Sequence, residues 1–530
     1  MSKIKVLDCT LRDGGYVNQW NFGANCSLKI FQNLLKSKID YIECGFLKDC
    51  EYSYQKTLFS KIEDINKLPV DTEMHLSEIV AMIIFGQFSY DKLVPKTKNI
   101  ALDAIRVTFK KHEIEDVFKF FEKIKHCGYK IFVNPTNIDT YSDLELIDLL
   151  KQVNKLQPHG FSIVDTKGIL RETDILRLYY LINNNLDKNI SLCFHSHNNL
   201  QLSFSNAQCL MKVCKDRELI IDSTVFGMGR GAGNLCTELI TQYINDNYNG
   251  QYDIIPILKI VDEHINPIFA RTPWGYSVPY YLAATNHCHP NYAKYLVDKQ
   301  TVPVENINIL LKLIPDNKKS IYDANLIKQL YLDKFSDVID DADTVKYLEN
   351  ILKDRKILIM APGKSLKSEN KKIEKFITDE NPFIISLNFI PDDYSENLVF
   401  ITNLKRFSSL STYSAPLIVT SNIAEPPQNS LVLNYTSYIN TSKMFDNVAL
   451  MILNLFIKIG IKSVYIAGLD GFSPIAAENY VSNDLINNAK VNEFDERNQI
   501  MSEELNKLSK YININFITKT LYEIKCNVLK

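Results

Sequence analysis

The sequence lacks several features that would assign it to a specialised class of protein. It has 530 residues but only 2 tryptophans, its 11 cysteines include no C-x-x-C pair, and its formal net charge is −2. Scattered cysteines of odd number indicate reduced thiols rather than a disulfide framework. A nearly neutral chain has no overall attraction for nucleic acid or for an anionic membrane. These absences argue against a disulfide-stabilised secreted scaffold and against nucleic-acid binding.

Long hydrophobic runs are also missing. No apolar segment approaches the roughly 18 residues of a membrane-spanning helix, and the first residues contain no apolar core of a secretory signal. Hydrophobic residues make up 46% of the chain and charged residues 23%, the mixture of an ordinary globular protein. We therefore expect a soluble, cytoplasmic protein with no membrane span, and the length predicts two or three domains.

Apolar and β-branched runs recur about every 30 residues in the first part of the chain, which is the length of one strand–helix unit. The runs begin near Ile4, Tyr41, Met74, Ala104, Ile131, Gly160, Ser191 and Ile220. The segments between them carry apolar residues at helical spacing. Eight such units predict a (β/α)8 TIM barrel over residues 1–250, with a doubly wound open sheet as the alternative.

The pattern changes after residue 250. Apolar segments broken by proline and asparagine predict a helical extension over residues 251–350. A second series of strand-like runs follows, beginning with KILIMAPGKSL and ending with SVYIAGLDGF. This series predicts a C-terminal, Rossmann-like α/β domain over residues 351–530. The predicted fold class is therefore α/β throughout.

Chemically capable side chains lie at the ends of most predicted barrel strands. Active sites of (β/α)8 barrels lie at the carboxyl ends of the strands, so these positions test the barrel interpretation. The side chains are Arg12, Asp13, Glu43, Arg106, Asn134, Asp165, Thr166, His195, His197 and Asn234. We expect the site to be built from this set.

His195 and His197 predict a metal site. Residues i and i+2 of a strand point to the same side, so both imidazoles can face the barrel mouth. With Asp13 they form a nitrogen and oxygen set that suits Mn²⁺ or Mg²⁺ and also Co²⁺, Fe²⁺ or Zn²⁺. Asn234, in the glycine-rich loop after the last strand, can add an oxygen ligand. An isolated H-x-H pair would instead be structural.

Arg12 has two interpretations. A fixed guanidinium can stabilise the oxygen of an enolate, or it can form an ion pair with Asp13 that only closes the barrel. The substrate-binding candidates, each with polar packing inside the barrel as the alternative, are Glu43, Arg106, Asp165 and Thr166.

Four segments together resemble the metal-dependent aldolase and lyase superfamily of TIM barrels. They are DCTLRDG (8–14), IECG (42–45), FHSHNN (194–199) and GAGNLCTE (231–238). The superfamily includes 4-hydroxy-2-oxovalerate aldolase, 3-hydroxy-3-methylglutaryl-CoA lyase and isopropylmalate synthase. The resemblance implies a class II aldolase that joins a 2-oxo acid such as pyruvate to an aldehyde. It implies metal binding by Asp13, His195 and His197, with Asn234 as an additional ligand, and it makes Arg12 the enolate-stabilising residue.

Two departures from the superfamily pattern concern the residues after Arg-Asp-Gly. The synthases continue with Glu-Gln, whereas this chain has Gly15 and Tyr16, and the oxovalerate aldolases have a catalytic histidine where Tyr16 stands. That histidine is therefore missing or replaced, and the candidates to replace it are Tyr16 itself, His287 and His289. Two rival functions remain open: a Claisen-type acyl-CoA synthase or lyase, and a non-catalytic scaffold with a vestigial site.

The C-terminal segment APGKSL is not a Walker A motif, because Leu358 stands where that motif needs glycine. Its turn, formed by Gly363, Lys364 and Ser365, can still offer backbone amides to a phosphate. With AGLDG (467–471), it resembles the nucleotide-binding fold of bacterial glycosyltransferase-like proteins. That resemblance implies a nucleotide or sugar-nucleotide ligand and a role in surface-polysaccharide synthesis. The alternative is an inert dimerisation domain, and we expect a homo-oligomer.

Overall fold

The computed structural model describes most of the chain. The described residues are 3–68, 77–299, 301–335, 338–409, 415–423, 425–440, 444, 446–473, 479–482 and 494–524. They divide into two compact units, one formed by Met1–Pro290 with Lys319–Ile321 and the other by Asn291–Lys318 with Tyr322–Lys530. Within these described residues, no helix has the length and apolar character needed to cross a membrane. The predicted domain boundaries at residues 250 and 350 stay predictions.

The first unit is a closed parallel barrel. Its strands are β1 (Ile4–Asp8), β2 (Tyr41–Leu47), β3 (Leu58–Phe59), β4 (Glu78–Ile84), β5 (Ala104–Phe109), β6 (Lys130–Pro135), β7 (Gly160–Asp165), β8 (Ser191–Ser196) and β9 (Leu219–Ser223). They pair in the order β1-β9-β8-β7-β6-β5-β4-β2, and pairing of β1 with β2 closes the ring. The predicted TIM barrel is confirmed, and the open-sheet alternative is wrong.

Two details concern the third strand of the ring and a short strand beside β2. The start predicted near Met74 lies outside the described residues, and the third strand of the ring begins, as described, at Glu78. The two-residue strand β3 was not predicted; it pairs beside β2 without entering the ring. A strand of two residues has no periodicity that a sequence pattern can show.

Helices cover the outside of the barrel. They are α2 (Ala24–Lys36), α3 (Ile114–His126), α4 (Asp143–Leu156), α5 (Glu172–Asn185), α6 (Ser203–Val213) and α7 (Thr237–Tyr248), whereas the short α1 (Gly15–Asn18) lies in the loop after β1. Their apolar faces drive the packing, as in α3, which buries Val117, Phe120, Phe121 and Ile124 at helical spacing. Short 3-10 turns lie at Ile62–Lys67, Tyr90–Lys92, Lys111–Glu113, Ile138–Thr140 and Val225–Gly227.

The interior of the ring is apolar in its lower part and charged near the carboxyl ends of the strands. Eight buried side chains form an internal cluster: Leu7, Cys9, Tyr41, Val80, Ala104, Phe132, Cys193 and Ile220. Because these residues fill the ring below the carboxyl ends of the strands, the polar residues that follow them are directed to the mouth. The chain then continues as α8 (Ile254–Ile260), a π-helical turn (Val261–Ile265), α9 (Asn266–Arg271) and α10 (Val278–Thr285).

The second unit begins with helices and ends with a sheet. Its helices before the sheet are α11 (Pro290–Asp298), α12 (Val304–Lys312), α13 (Asp316–Lys319), α14 (Ala324–Phe335) and α15 (Ala342–Leu352). The strands are β10 (Ile357–Met360), β11 (Phe383–Leu387), β12 (Leu398–Ile401), β13 (Leu417–Thr420), β14 (Leu431–Leu433), β15 (Ser463–Ala467) and β16 (Asn513–Phe516). All seven are parallel, which confirms the second α/β pattern; β16 was not predicted.

Helices lie on both faces of this second sheet. They are α16 (Ser365–Ser368), α17 (Asn370–Glu380), α18 (Leu404–Ser409), α19 (Val448–Lys458) and α20 (Phe494–Leu508), with a 3-10 turn at Tyr435–Ser437. One face packs against α19 and α20, and the other packs against α16 and α17. The strands lie in the order β14-β13-β12-β11-β10-β15-β16, so successive strands are added on one side of β10 up to β14 and on its other side from β15 onwards. This change of side between β10 and β15 is the topological switch point of a doubly wound sheet.

Candidate metal centre and active site

The structure brings together the four predicted metal ligands at the barrel mouth. Asp13 lies in the turn after β1, His195 lies on β8, and His195 Nε2 is 3.0 Å from Asp13 Oδ2. The imidazole centroids of His195 and His197 are 5.2 Å apart. His197 forms an isolated antiparallel bridge with Asn234, which places the glycine-rich loop beside β8. All four side chains are buried.

Unpartnered acceptor atoms test whether these residues suit a cation. Asp13 Oδ1, His197 Nδ1 and Asn234 Oδ1 are all buried without a hydrogen-bond partner. An unsatisfied buried polar atom costs about 1–3 kcal/mol, and a cation bound at the mouth would offset this cost. Carboxylate, imidazole and amide groups are together a donor set for a divalent metal. The residues therefore fit the predicted metal.

Two of the proposed ligands, Asp13 and His197, have the protonation states that metal binding requires. Burial would raise the pKa of Asp13, but the charges of Arg12 and the two histidines hold it well below its usual value. Burial lowers the pKa of His197 to about 3, so its imidazole is neutral. Metal ligands are deprotonated carboxylates and neutral imidazoles, which these two groups already are.

Asp222, on β9, orients His195 and was not among the predicted residues. Asp222 Oδ2 accepts a hydrogen bond from His195 Nδ1 at 3.1 Å, which leaves Nε2 directed at Asp13. Burial alone would lower the pKa of His195, but hydrogen bonds to Asp13 and Asp222 raise it. A carboxylate behind a metal-binding histidine fixes its tautomer and orientation. The available signal was an aspartate inside an otherwise apolar strand.

Arg12 is held by carboxylates on two sides. Its Nε lies 2.6 Å from Glu43 Oε2, and its Nη1 lies 3.0 Å from Asp13 Oδ2. Arg106 Nη1 is 3.5 Å from Glu43 Oε1, and Arg106 also pairs with Asp222. The remaining Arg12 nitrogen, Nη2, is buried without a partner. Glu43 and Arg106 therefore fix the positions of Arg12 and Asp222, and a direct substrate role for them stays a prediction.

Asp165 and Thr166 organise the loop after β7. The Asp165 carboxylate accepts backbone hydrogen bonds from Ile169 and Leu170, each at 3.0 Å, and burial raises its pKa to about 7. Thr166 Oγ1 accepts a hydrogen bond from the backbone of Asn137 at 2.8 Å. These contacts stabilise the loop, so substrate binding by either residue also stays a prediction.

Asn134, near the end of β6, supports a charged neighbour in a similar way. Asn134, with its amide turned to satisfy its neighbours, accepts a hydrogen bond from Arg106 Nη2 at 2.8 Å. Asn134 therefore adds a neutral hydrogen-bond partner to the set of paired charges formed by Glu43, Arg106 and Asp222.

Two of the three proton-transfer candidates reach the mouth. Arg12, Asp13 and Arg230 all act electrostatically on Tyr16, whose ring is 37% exposed. His289 is half-buried, and burial followed by the charge of Arg230 lowers its pKa to about 3. His287 is exposed, and in the described part of the chain its side chain contacts none of the ligand residues.

Cys9 is a further residue at the site that the sequence patterns did not single out. Ligand atoms of Cys9, Asp13 and His195 all lie within 4.8 Å of one another. The thiol donates a hydrogen bond to the Ser223 carbonyl at 3.2 Å, and burial raises its pKa well above its usual value. Because Cys9 also belongs to the apolar cluster inside the ring and is hydrogen-bonded to Ser223, we assign it to the packing below the proposed metal set.

Comparison with known proteins agrees with this geometry. Residues 3–262 match the profile of the HMGL-like family. This part of the chain is similar to the members of that family. The HMGL-like segment spans the whole ring and the loops that carry the metal set, which confirms the resemblance drawn from the four motifs.

Relatives of the HMGL-like segment carry decarboxylase and aldolase names. The chain is 22% identical over 285 residues to an oxaloacetate decarboxylase of Mycobacterium tuberculosis. The alignment covers 52% of this chain and 79% of that protein. It is 22% identical over 269 residues to a 4-hydroxy-2-oxovalerate aldolase of Geobacillus genomosp. 3, covering 50% and 77% of the two chains. These relatives support a lyase or aldolase enzyme family for the barrel.

A solved structure shares the fold. The carboxyl transferase domain of Rhizobium etli pyruvate carboxylase, crystallised with pyruvate, aligns with a TM-score of 0.50 at 11% identity. The alignment covers 66% of this chain and 65% of that chain. At this identity the likeness concerns the fold alone.

Proposed function

We propose that the HMGL-like barrel is a divalent-metal-dependent aldolase that forms or cleaves a carbon–carbon bond beside a 2-oxo acid such as pyruvate. The observation that carries the proposal is the buried set of unpartnered acceptors on Asp13, His197 and Asn234, next to the unpartnered Arg12 Nη2. Oxaloacetate and 4-hydroxy-2-oxovalerate, the compounds in the relatives' names, are both 2-oxo acids. This shared chemistry supports the substrate class.

Asp13, His195 and His197 would hold the metal, with the amide oxygen of Asn234 as an additional ligand. Mn²⁺ and Mg²⁺ suit the oxygen-containing set best. When bound, such a cation supplies Lewis-acid chemistry to the 2-oxo carbonyl group. Asp222 keeps His195 in the correct tautomer, so the protein's own contribution is a ligand set that is fixed before the metal arrives.

Arg12 would stabilise the negative charge that develops on the 2-oxo oxygen. Its guanidinium is immobilised by Glu43 and Asp13, so donating from Nη2 needs no rearrangement. A pre-organised donor of this kind contributes about 10²–10³-fold in rate. In the cleavage direction, a base removes the proton of the 4-hydroxyl group, the C3–C4 bond breaks, and the aldehyde leaves. The electron pair stays with C3, which then takes a proton to give the 2-oxo acid.

His289 is the group that we propose as the base, with Tyr16 as the alternative. The imidazole of His289 is half-buried and neutral, although a pKa of about 3 makes it a weak base, and the positive charge of Arg230 acts on both groups. Replacing each group in turn distinguishes the two. We expect His289→Ala to lower kcat at least 100-fold, the typical contribution of general acid–base catalysis, and Tyr16→Phe to lower it less than tenfold. The reverse order would assign the base to Tyr16.

The test of the function is metal content combined with exchange of the pyruvate methyl protons in deuterated water. We expect the purified chain to bind Mn²⁺ and to catalyse exchange, and His195→Ala to lose both. His126→Ala, on the exposed face of α3, is the matched control. Bound metal without exchange would favour an acyl-CoA thioester as substrate. Failure to bind any divalent metal would contradict the proposal and favour a scaffold.

We also propose that the second unit binds a nucleotide or sugar nucleotide at the carboxyl ends of β10 and β15. Doubly wound sheets bind ligands at their switch point, and the sheet order supports this position. A Cβ at Gly363 would lie 2.3 Å from the Gly468 carbonyl oxygen, so the two loops pack directly on each other. The Ser365 amide already donates to Asp470 at 2.8 Å, and the proposed contact for a phosphate is the neighbouring Lys364, which is exposed.

Equilibrium binding of UDP and CMP to the full chain tests this second proposal. We expect micromolar binding that weakens at least tenfold in Lys364→Ala and is unchanged in Lys371→Ala, an exposed lysine on α17. A sugar nucleotide here would connect the barrel's chemistry to the synthesis of surface sugars. Binding of neither nucleotide would contradict the proposal.

A further inference from the structure

Arg230 lies at the mouth of the barrel, and the proposed reaction gives it no role. It belongs to the loop between β9 and α7 and is half-buried. Its guanidinium carbon is 5.4 Å from the centroid of the Tyr16 ring. Burial is the main cause of the lowered pKa of His197 and of His289, and the charge of Arg230 is a further cause for both. These interactions place Arg230 beside the metal set and the proposed base.

The loop that carries Arg230 has a fixed conformation. The Gly233 amide donates to the Arg230 carbonyl at 3.1 Å, and the Ala232 amide donates to Asn199 Oδ1 at 3.1 Å. Gly233 has a φ of 81°, and a Cβ there would lie 2.1 Å from the Gly227 carbonyl oxygen. Only glycine fits this position. The guanidinium is therefore presented from a rigid base, which lowers the entropy lost when it binds a ligand.

Arg230 differs from the other two arginines at the mouth in having no carboxylate partner. Arg12 and Arg106 each have a carboxylate oxygen of Glu43 within 3.5 Å. Across the residues that the structure describes, Arg230 forms no ion pair and its side chain makes no hydrogen bond. A partly desolvated cation without a counter-ion is unfavourable, and its fork of N–H groups is suited to a carboxylate or phosphate. The missing negative charge is one that a ligand can supply.

We propose that Arg230 forms an anion subsite that binds a second negatively charged group of the reacting pair. The substrate would thus carry a carboxylate or phosphate in addition to the carboxylate of the 2-oxo acid. This inference rests on the proposed aldolase function. The second group belongs either to the aldehyde or to the 2-oxo acid, and the recognition chemistry is the same in both cases.

Matched pairs of neutral and anionic probes test the subsite. In the first arm, pyruvate is condensed with succinic semialdehyde or with butanal, which have the same chain length. In the second arm, exchange of the C3 protons is measured for 2-oxoglutarate and for 2-oxopentanoate. The readout in each arm is the ratio of kcat/KM for the anionic probe to that for the neutral one.

We expect Arg230→Gln to lower this ratio roughly 100-fold in one arm, because a charge-assisted pair is lost there. A fall in the first arm assigns the anion to the aldehyde, and a fall in the second assigns it to the 2-oxo acid. Arg230→Lys should restore part of the ratio, since it keeps the charge but not the fork. Arg177→Gln, an exposed arginine on α5, is the control and should leave both ratios unchanged.

Equal losses for the anionic and neutral probes in Arg230→Gln would overturn the subsite and make Arg230 a structural residue. Unchanged ratios in both arms would overturn it as well. Absence of pyruvate exchange in the unsubstituted chain overturns the proposed function and the subsite together. Exchange in that chain with unchanged ratios in the variant overturns the subsite alone, so the two failures are distinguishable.

Discussion

The two parallel sheets of this chain bury different kinds of polar side chain at the carboxyl ends of their strands. The barrel buries a ladder of charges there: Arg12, Asp13, Glu43, Arg106, His195 and Asp222. The described strands of the second sheet, and the residues directly after them, bury neutral groups: Ser386, Thr402, Thr420, Asn422, Asn434 and Thr518. Several of these neutral groups are satisfied internally, as in the hydrogen bond from Asn422 to the Thr402 carbonyl at 2.8 Å.

The difference indicates which of the two units can carry out acid–base or metal chemistry. A buried charge is costly unless it is paired, so a protein that keeps a ladder of charges in a closed ring gains something from the charge itself. Satisfied hydroxyl and amide groups stabilise loops and shape a binding surface, but they carry no charge for acid–base or metal chemistry. We therefore expect substitutions at the barrel mouth to change metal binding and catalysis, and substitutions of the buried neutral groups of the second sheet to change local stability.

The largest effect is expected from Asp13→Asn, which removes the negative charge between Arg12 and His195. Metal affinity should fall about 1000-fold, because removing one partner of a buried charged set costs about 3–5 kcal/mol. Competition with a metal-sensitive dye measures the affinity. Asp148→Asn, an exposed aspartate on α4, is the control and should bind metal like the unsubstituted chain. A loss below tenfold would contradict the assignment of Asp13 as a ligand.

Asp8 sharpens the comparison within the barrel, because it is a buried carboxylate whose hydrogen-bond partners are neutral. It accepts hydrogen bonds from Thr237 and from the backbone of Thr10, and burial raises its pKa from 3.8 to about 6. The folded state therefore binds the proton more tightly than the unfolded state. The stability contributed by this group is present below pH 4 and is lost as the pH rises through about 6.

Asp8→Asn removes this titration. We expect the free energy of unfolding of Asp8→Asn, relative to the unsubstituted chain, to increase by up to about 3 kcal/mol between pH 4 and pH 7. Urea unfolding at several pH values measures the difference. The same experiment on Asp148→Asn should show a difference that does not change with pH. A relative stability that falls over this range would show that Asp8 is ionised in the folded state at low pH.

Substitution of Asp222, which orients His195, should lower metal affinity less than substitution of the proposed ligand Asp13. Asp222→Asn should weaken metal binding about 10–100-fold, because residues that orient a metal-binding histidine contribute in that range. The same dye competition applies, with Asp143→Asn, an exposed aspartate on α4, as the control. An unchanged affinity would mean that the hydrogen bond to His195 is structural only.

The smallest effect is expected in the second sheet. Asp470→Ala removes two hydrogen bonds to Ser365, one of them to its backbone amide at 2.8 Å. We expect a local loss of about 1 kcal/mol, which is roughly a fivefold increase in hydrogen exchange over residues 361–368. Exchange over residues 194–199, in the barrel, should stay unchanged. Faster exchange in both segments would indicate that the substitution acts on the whole chain.

Much of the fold is encoded in local patterns of the sequence. Strand–helix alternation predicted the eight strands of the ring, because burial on both faces makes a parallel strand continuously apolar. The start predicted for the third strand lies outside the described residues. The spacing of His195 and His197 predicted two imidazoles on one side, since side chains alternate along a strand. Asp13 followed from its place at the end of the first strand. Sequence alone therefore determined the architecture, and it predicted the core of the proposed metal set.

The tertiary structure alone decided which charges meet. Asp222 pairs with Arg106, which is 116 residues away, and with His195, which is 27 residues away. No local period links such residues, because their contact follows from the order and closure of the strands. The unpaired state of Arg230 and the switch point between β10 and β15 have the same origin. A sequence fixes which side chains reach a strand end, and the closed ring fixes which of those charges are neutralised and which remain for a ligand.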